Sequence, residues 1–200
     1  METLEALGHQ IQSVHDLHSV VKTMKGLAAV NIRQYEKAVD ALRDYNRTLE
    51  LGVQALLRRM PHCIDPSASQ PSGRLGAIVL GSDQGMCGQF NSQIVSLVVE
   101  KLRADNVDSA ATLVAAVGVR AADELINADY SVDASVSLPG STSEITRRVE
   151  DLLLQVEVWR EEDGVDRVWL FHERPQGAAS YTPHYVQIMP LDANWLQSLR

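Results

Sequence analysis

The chain has 200 residues, 45% of them hydrophobic and 22% charged, with only 7 prolines, a globular composition that excludes disordered, collagen-like and disulfide-scaffold classes. Its net charge of −8 is unevenly placed: residues 1–60 hold 8 Lys/Arg against 7 Asp/Glu, and residues 61–200 hold 10 against 19. An acidic body argues against nucleic acid as a partner, because phosphate-backbone affinity rests on Lys and Arg. No apolar run approaches the roughly 18–20 residues that cross a bilayer, and Glu2 and Glu5 do not open a signal peptide. A soluble, cytoplasmic chain is expected. Cys63 and Cys87 are too far apart for a CxxC pair and are expected to be reduced thiols.

From Leu4 to Leu57 there is no proline, and apolar residues follow a 3-4-3-4 spacing. With Leu4 and Leu7 as a and d, the row runs through Ile11, Val14, His18, Val21, Lys25, Ala28, Ile32, Tyr35, Val39, Leu42, Asn46, Leu49, Val53 and Leu56. Thirteen of these sixteen positions are apolar; His18, Lys25 and Asn46 interrupt the row. A seven-residue repeat held this long predicts a coiled-coil helix over residues 1–60, about 80 Å in length. Its seam needs a partner helix of similar length, and no later segment supplies one. The partner is another copy, another subunit, or a segment beyond Arg200. His15 and His18 are three apart on this helix, but no third ligand stands at suitable spacing, and no metal is assigned. Gly26 marks either a close approach of another backbone or tolerated drift.

Residues 61–74 hold three prolines, three serines and a glycine and predict a linker. Residues 75–200 then read as an α/β body. Leu75–Gly81 has the apolar character of a strand buried on both faces, and Asn91 is the expected N-cap of a helix from Ser92 to about Arg103. A strand at Ala111–Val117, a helix at Arg120–Asn127 and a strand at Val132–Leu138 follow. Ser141 with Glu144 suggests a capping box, opening a helix with Ile145, Val149, Leu152, Val156 and Trp159 on its buried face and Arg147, Arg148, Glu150 and Asp151 in solvent. Strands at Asp166–His172 and His184–Met189 complete five, the last an edge because Pro183 and Pro190 bracket it. Alternating strands and helices predict a mostly parallel, doubly wound, Rossmann-like sheet.

The loop after the first strand, Gly81-Ser-Asp-Gln-Gly-Met-Cys-Gly-Gln-Phe-Asn91, stands where phosphate sites occur. It lacks the Lys-Ser/Thr ending of a P-loop, its glycines do not make GxGxxG, and Asp83 would repel a phosphate. A structural strand-to-helix turn is the expectation. Cys87 would be a nucleophile only if His172 or His184 came near it, and a half-buried structural thiol is the better reading. No catalytic constellation, cofactor or metal site is expected.

Two stretches together resemble the γ subunit of rotary F-type ATP synthases. That family carries a pattern like I-T-K-A-M-K-M-V-A-A-x-K-L-R, met here by Val20-Val-Lys-Thr-Met24-Lys-Gly-Leu-Ala-Ala-Val-Asn-Ile-Arg33, and S-D-R-G-L-C-G-G-F-N, met by Ser82-Asp-Gln-Gly-Met-Cys-Gly-Gln-Phe-Asn91. Gly26, Asn31 and Gln84 depart from the usual Met, Lys and Arg. The first run looks more like the alternate, N-type F-ATPases of some bacteria than the housekeeping enzyme. The resemblance implies a central-stalk rotor subunit with no active site of its own, coupling ion transport, of protons or sodium, to ATP synthesis or hydrolysis. It implies as partners the α and β subunits of the α3β3 hexamer, the ε subunit and the membrane c-ring, at the cytoplasmic face of a bacterial inner membrane. By the same resemblance Lys22, Met24, Lys25 and Arg33 become candidates for the shaft's contact with β-subunit loops, and Ser82, Asp83, Gly85, Cys87, Gly88, Phe90 and Asn91 form a structural motif loop. Because family members continue into a second long helix that pairs with the first, the chain is expected to be a truncated γ subunit lacking that return helix. The rival reading is a nucleotide-binding or enzymatic α/β domain carried on a homodimeric coiled coil, and a third is a pure scaffold.

Overall fold

The structure is a computed structural model that describes residues 4–59, 73–177, 180–191 and 193–199. The expected linker, Gly73 and Arg74 apart, and Cys63 within it lie outside the described residues. The chain divides into two units, Met1–Gly52 and Val53–Arg200.

The first unit is helical. Helix α1 runs Leu4–Arg59, as the absence of proline and the sustained periodicity lead one to expect, and its last turns belong to the second unit, where Leu57 is buried and Arg58 and Arg59 complement the helix C-terminus. No residue from Leu4 to Gly52 is buried, and the seam positions Leu4, Leu7, Ile11, Val14, Val39, Leu42 and Leu49 are all exposed. Open space surrounds Gly26.

The second unit is built on a five-stranded sheet: β1 (Arg74–Leu80), β2 (Thr112–Val117), β3 (Ala134–Val136), β4 (Val165–Gln176) and β5 (Ser180–Met189), in the spatial order β3-β2-β1-β4-β5. The first four strands in that order pair in parallel and β5 joins β4 antiparallel, so β5 is the expected edge. The fold is the mostly parallel, doubly wound sheet that the sequence predicts. Every residue of β2 and the five inner residues of β1 are buried, which explains why both read as apolar runs without alternation. On one face lie α2 (Phe90–Ala104) and α3 (Val119–Asn127), whose Ile94, Val98, Leu102 and Leu125 pack with Val79, Val114, Trp169 and Phe171. On the other lies α4 (Ile145–Glu162), whose Trp159 fills the space over Gly76, where a Cβ would meet the indole at 2.9 Å. A short helix α5 (Ala193–Ser198) follows β5.

Local details depart from the sequence expectation in several places; β4 and β5 run longer than expected, and Pro183 lies inside edge strand β5 opposite Glu173 rather than bracketing it. A 3-10 turn at Ser109–Ala111, capped by Asp108, takes the start of the expected second strand. Strand β3 is three residues long, because Asp133 turns its carboxylate onto Val114 N at 2.7 Å and ends the ladder. The capping box does not form. Ser141 Oγ lies 2.8 Å from Ser143 Oγ, the Glu144 carboxylate accepts from Gly140 N instead, and α4 begins only after a 3-10 turn at Thr142–Glu144. On α4, Trp159 is buried and Leu152 and Val156 are half-buried as expected, but Val149 is 47% exposed, and Leu153 and Leu154 add apolar surface at 61% and 62%. Arg148 and Asp151, expected in solvent, are half-buried and 3.3 Å apart.

On the α2 face, Lys101 Nζ stands 5.4 Å and 4.8 Å from the Trp169 and Tyr185 ring centroids and 3.2 Å from Asp105. Burial opposes its charge, yet hydrogen bonding to Tyr185 and Asp105 outweighs that and holds its pKa above the usual lysine value.

Candidate functional site

The glycine-rich loop between β1 and α2 is organised around Asn91. Its side chain accepts from Ser82 N at 2.9 Å and donates to Ser82 Oγ at 2.9 Å and Cys87 Sγ at 3.3 Å. It is 6% exposed. This corrects the expected N-cap: α2 starts at Phe90 with Gln89 as its cap residue, and Asn91, one residue inside the helix, turns back to satisfy the loop rather than the helix terminus. The loop offers it an otherwise unpaired backbone N–H, which is a costlier group to leave buried than a solvent-facing helix end. Asn91→Ala removes the acceptor and is expected to destabilise the second unit by about 1–3 kcal/mol, read as a lower denaturation midpoint with unchanged slope.

Asp83 ties the loop to two other elements. Its Oδ1 accepts from Val119 N at 2.9 Å and its Oδ2 from Leu138 N at 3.1 Å. The carboxylate therefore occupies the N-terminus of α3 and complements the helix dipole there. Arg120 N donates to Ser82 O at 2.9 Å and Gly81 N to Val117 O at 2.8 Å. A Cβ at Gly81 would collide with Ala121 Cβ, so glycine is what lets α3 approach. On the far side Tyr181 Oη donates to Cys87 O at 3.4 Å and its ring meets Phe90 edge-on at 5.1 Å. The motif residues Ser82, Asp83, Cys87, Phe90 and Asn91 are thus brought together as a clasp over the carboxyl ends of β1 and β2. Gly88 supplies a backbone turn at φ +61°, and Gly85 lies beside the Arg120 side chain, both lining a polar cavity of about 510 Å³.

The Cys87 thiol is half-buried among Ser82, Gln84 and Asn91. His172 and His184, the only bases considered for it, instead face each other across β4 and β5. Sequence reasoning missed Gly118, Leu138 and Tyr181 as members of the clasp. A glycine directly between a strand and a helix was the available signal for the first; the other two are brought in by tertiary structure alone. It also missed an apolar groove of about 800 Å³ between α4 and the sheet, lined by Leu80, Leu138, Leu152, Leu170 and Ile188 among others. On α4 its lining is Ile145, Val149, Leu152, Leu153 and Val156, and the apolar row of that helix was its trace.

On α1, Lys22, Lys25 and Arg33 are exposed and Met24 is half-buried. At 3.6 residues per turn, Lys22, Lys25 and Arg33 fall on one side of the helix and Met24 on the opposite side. The helix does not bring the four together as one patch.

The ATP synthase family pattern matches residues 3–198. Over 207 aligned positions the chain is 26% identical to the ATP synthase gamma chain of Synechococcus sp. (strain PCC 6716), covering 99% of this chain and 64% of that one. It is equally similar, with the same coverage, to the ATP synthase gamma chain of Thermosynechococcus vestitus (strain NIES-2133 / IAM M-273 / BP-1), again at 26%. The chain spans 64% of the length of these curated relatives. Among solved structures, the rotor of the Euglena gracilis mitochondrial ATP synthase shares the fold, with a TM-score of 0.59 at 18% identity over 96% of this chain and 64% of that one.

Proposed function

We propose, from the premise that the chain belongs to the gamma chains of the ATP synthase family, that it serves as central-stalk rotor, turning within an α3β3 hexamer and linking it to the ε subunit and the c-ring. The observation that carries this is α1: 56 residues of continuous helix with an apolar seam along its length. A stiff helix of about 80 Å can transmit torque, and its uneven surface can bias three otherwise equivalent catalytic subunits toward different states. By the family relationship, attachment to the membrane sector is assigned to partner subunits at the cytoplasmic face of a bacterial inner membrane; among the described residues no helix is long and apolar enough to cross a membrane. The chain is read as contributing no catalytic site of its own; the loop after β1, without the Lys-Ser/Thr ending of a P-loop, supports this reading.

Because the basic residues and Met24 lie on opposite sides of α1, we assign them to different neighbours: Met24 to acidic loops of a β subunit, and Lys22, Lys25 and Arg33 to a second subunit surface. Co-purification with α and β subunits tests the assembly. Met24→Lys tests the contact. A new charge-assisted contact of about 1.5 kcal/mol at one rotary position would slow escape from it about tenfold. ATP hydrolysis and ion pumping in reconstituted vesicles should then both slow, by up to about tenfold, while Met24→Leu, which keeps apolar volume, stays near wild type. Equal rates in all three would remove Met24 from the contact. Calorimetric titration of the isolated chain with ATP is expected to show no micromolar site. Such a site would favour the rival reading, a nucleotide-binding domain on a homodimeric coiled coil.

A further inference from the structure

His172 and His184 are directly opposed residues of the antiparallel β4–β5 pair, with ring centroids 5.5 Å apart and planes at 79°. Both lie on the α4 side of the sheet, between the Leu170–Val186 pair and the Arg174–Thr182 pair, with His184 exposed and His172 half-buried. His172 Nδ1 stands 3.3 Å from Glu173 O. A carbonyl only accepts, so Nδ1 carries the proton and Nε2 keeps its lone pair. A backbone carbonyl holding one ring nitrogen so that the other is free is the outer-shell arrangement of metal-binding histidines.

We propose that His172 and His184 form a two-point site for a divalent transition-metal ion of the imidazole-seeking class, with Zn²⁺ and Ni²⁺ as members, that clips the edge strand β5 to β4. Strand pairing already fixes the two side chains opposite one another, so little side-chain entropy remains to be lost on chelation. Water completes the coordination, since no group of three or more His, Cys, Asp or Glu suited to a metal occurs among the described residues. Exposed Arg174 is the charged neighbour on this face, separated by one residue and open to solvent. Oxygen-seeking Mg²⁺ and Ca²⁺ find no ligand here. On α1, His15 and His18 have no comparable ring contact among the described residues and do not form this arrangement.

The test titrates the full chain with Zn²⁺ alone and with Mg²⁺ alone. Wild type and the His15→Gln/His18→Gln variant are expected to bind one Zn²⁺ with equal affinity. His184→Asn should bind about a hundredfold more weakly, as loss of one arm of a two-point contact predicts, and Mg²⁺ should not bind. His172→Gln/His184→Asn retaining wild-type Zn²⁺ affinity would overturn the site. Addition of Ni²⁺ to unmodified, isotope-labelled protein gives a readout that needs no variant. Paramagnetic broadening centred on β4 and β5 supports the proposal; broadening confined to the surroundings of His9, His15, His18 and His62 refutes it.

Discussion

Replacing Gly118 by alanine is expected to destabilise the second unit by about 2–6 kcal/mol, a large share of the stability of a domain this size. Two costs add. The residue has φ +105°, a backbone region that costs a side chain about 1–3 kcal/mol. Its new Cβ would also stand 2.8 Å from the N, C and O atoms of Ser82, which cannot rotate away as a side-chain tip could, and forced overpacking adds about 1–3 kcal/mol. Moving Ser82 would in turn disturb its bonds to Asn91 and to Arg120 N. Gly88→Ala is the control. Gly88 has φ +61° but nothing within 4 Å of its Cβ position, so only the backbone cost applies. Guanidinium chloride denaturation of the two variants separates the effects. Equal midpoints would mean that the Ser82 contact yields at no cost and that the clasp is loose.

That contrast shows what the sequence carried. Strand β1 was legible because burial on both faces demands an apolar run, and α1 because a period of 3.5 leaves an unmistakable row. The clasp residues were legible only as a motif. Asp83 looked like a phosphate repellent, which concerns its charge; its work, bonding Val119 N and Leu138 N, depends on residues 36 and 55 positions away. Asn91 was misread for a related reason: a residue that can cap a helix can equally satisfy a loop, and local propensity does not say which donor tertiary structure will present. Ser141 and Glu144 had capping-box spacing, but Ser143 and Gly140 offered partners at closer reach. The apolar groove beside α4 is lined by Ile145, Val149, Leu152 and Val156, the face expected to be buried, together with Leu153; periodicity marks that face as apolar but does not say that part of it stays open. Exposed apolar surface of this kind marks interaction sites rather than packing errors.

The largest difference between the two units is expected in amide hydrogen exchange. No residue of Leu4–Gly52 is fully buried, and most of a helix's stability in a protein comes from packing an amphipathic face. What remains is local: the Asp40–Arg43 pair at 2.9 Å, 68% and 75% exposed, and the Asn46–Glu50 bond, each contributing a few tenths of a kcal/mol. In β1 and β2, opening an amide requires disrupting the sheet core, at about 5 kcal/mol or more. Protection factors in β1 should therefore exceed those of residues 10–50 by about a thousandfold or more for dilute, monomeric chain. Raising the concentration should narrow the gap if copies pair along the seam, because thirteen apolar seam positions then become buried in a left-handed supercoil. On the proposed rotor role, adding α and β subunits should narrow it further at fixed concentration, because a shaft held inside the hexamer would lose solvent access. A monodisperse monomer whose residues 10–50 are protected as strongly as β1 would show that the helix is stable without a partner. The seam would then no longer call for a partner helix, and the proposed rotor shaft would rest on the family relationship alone.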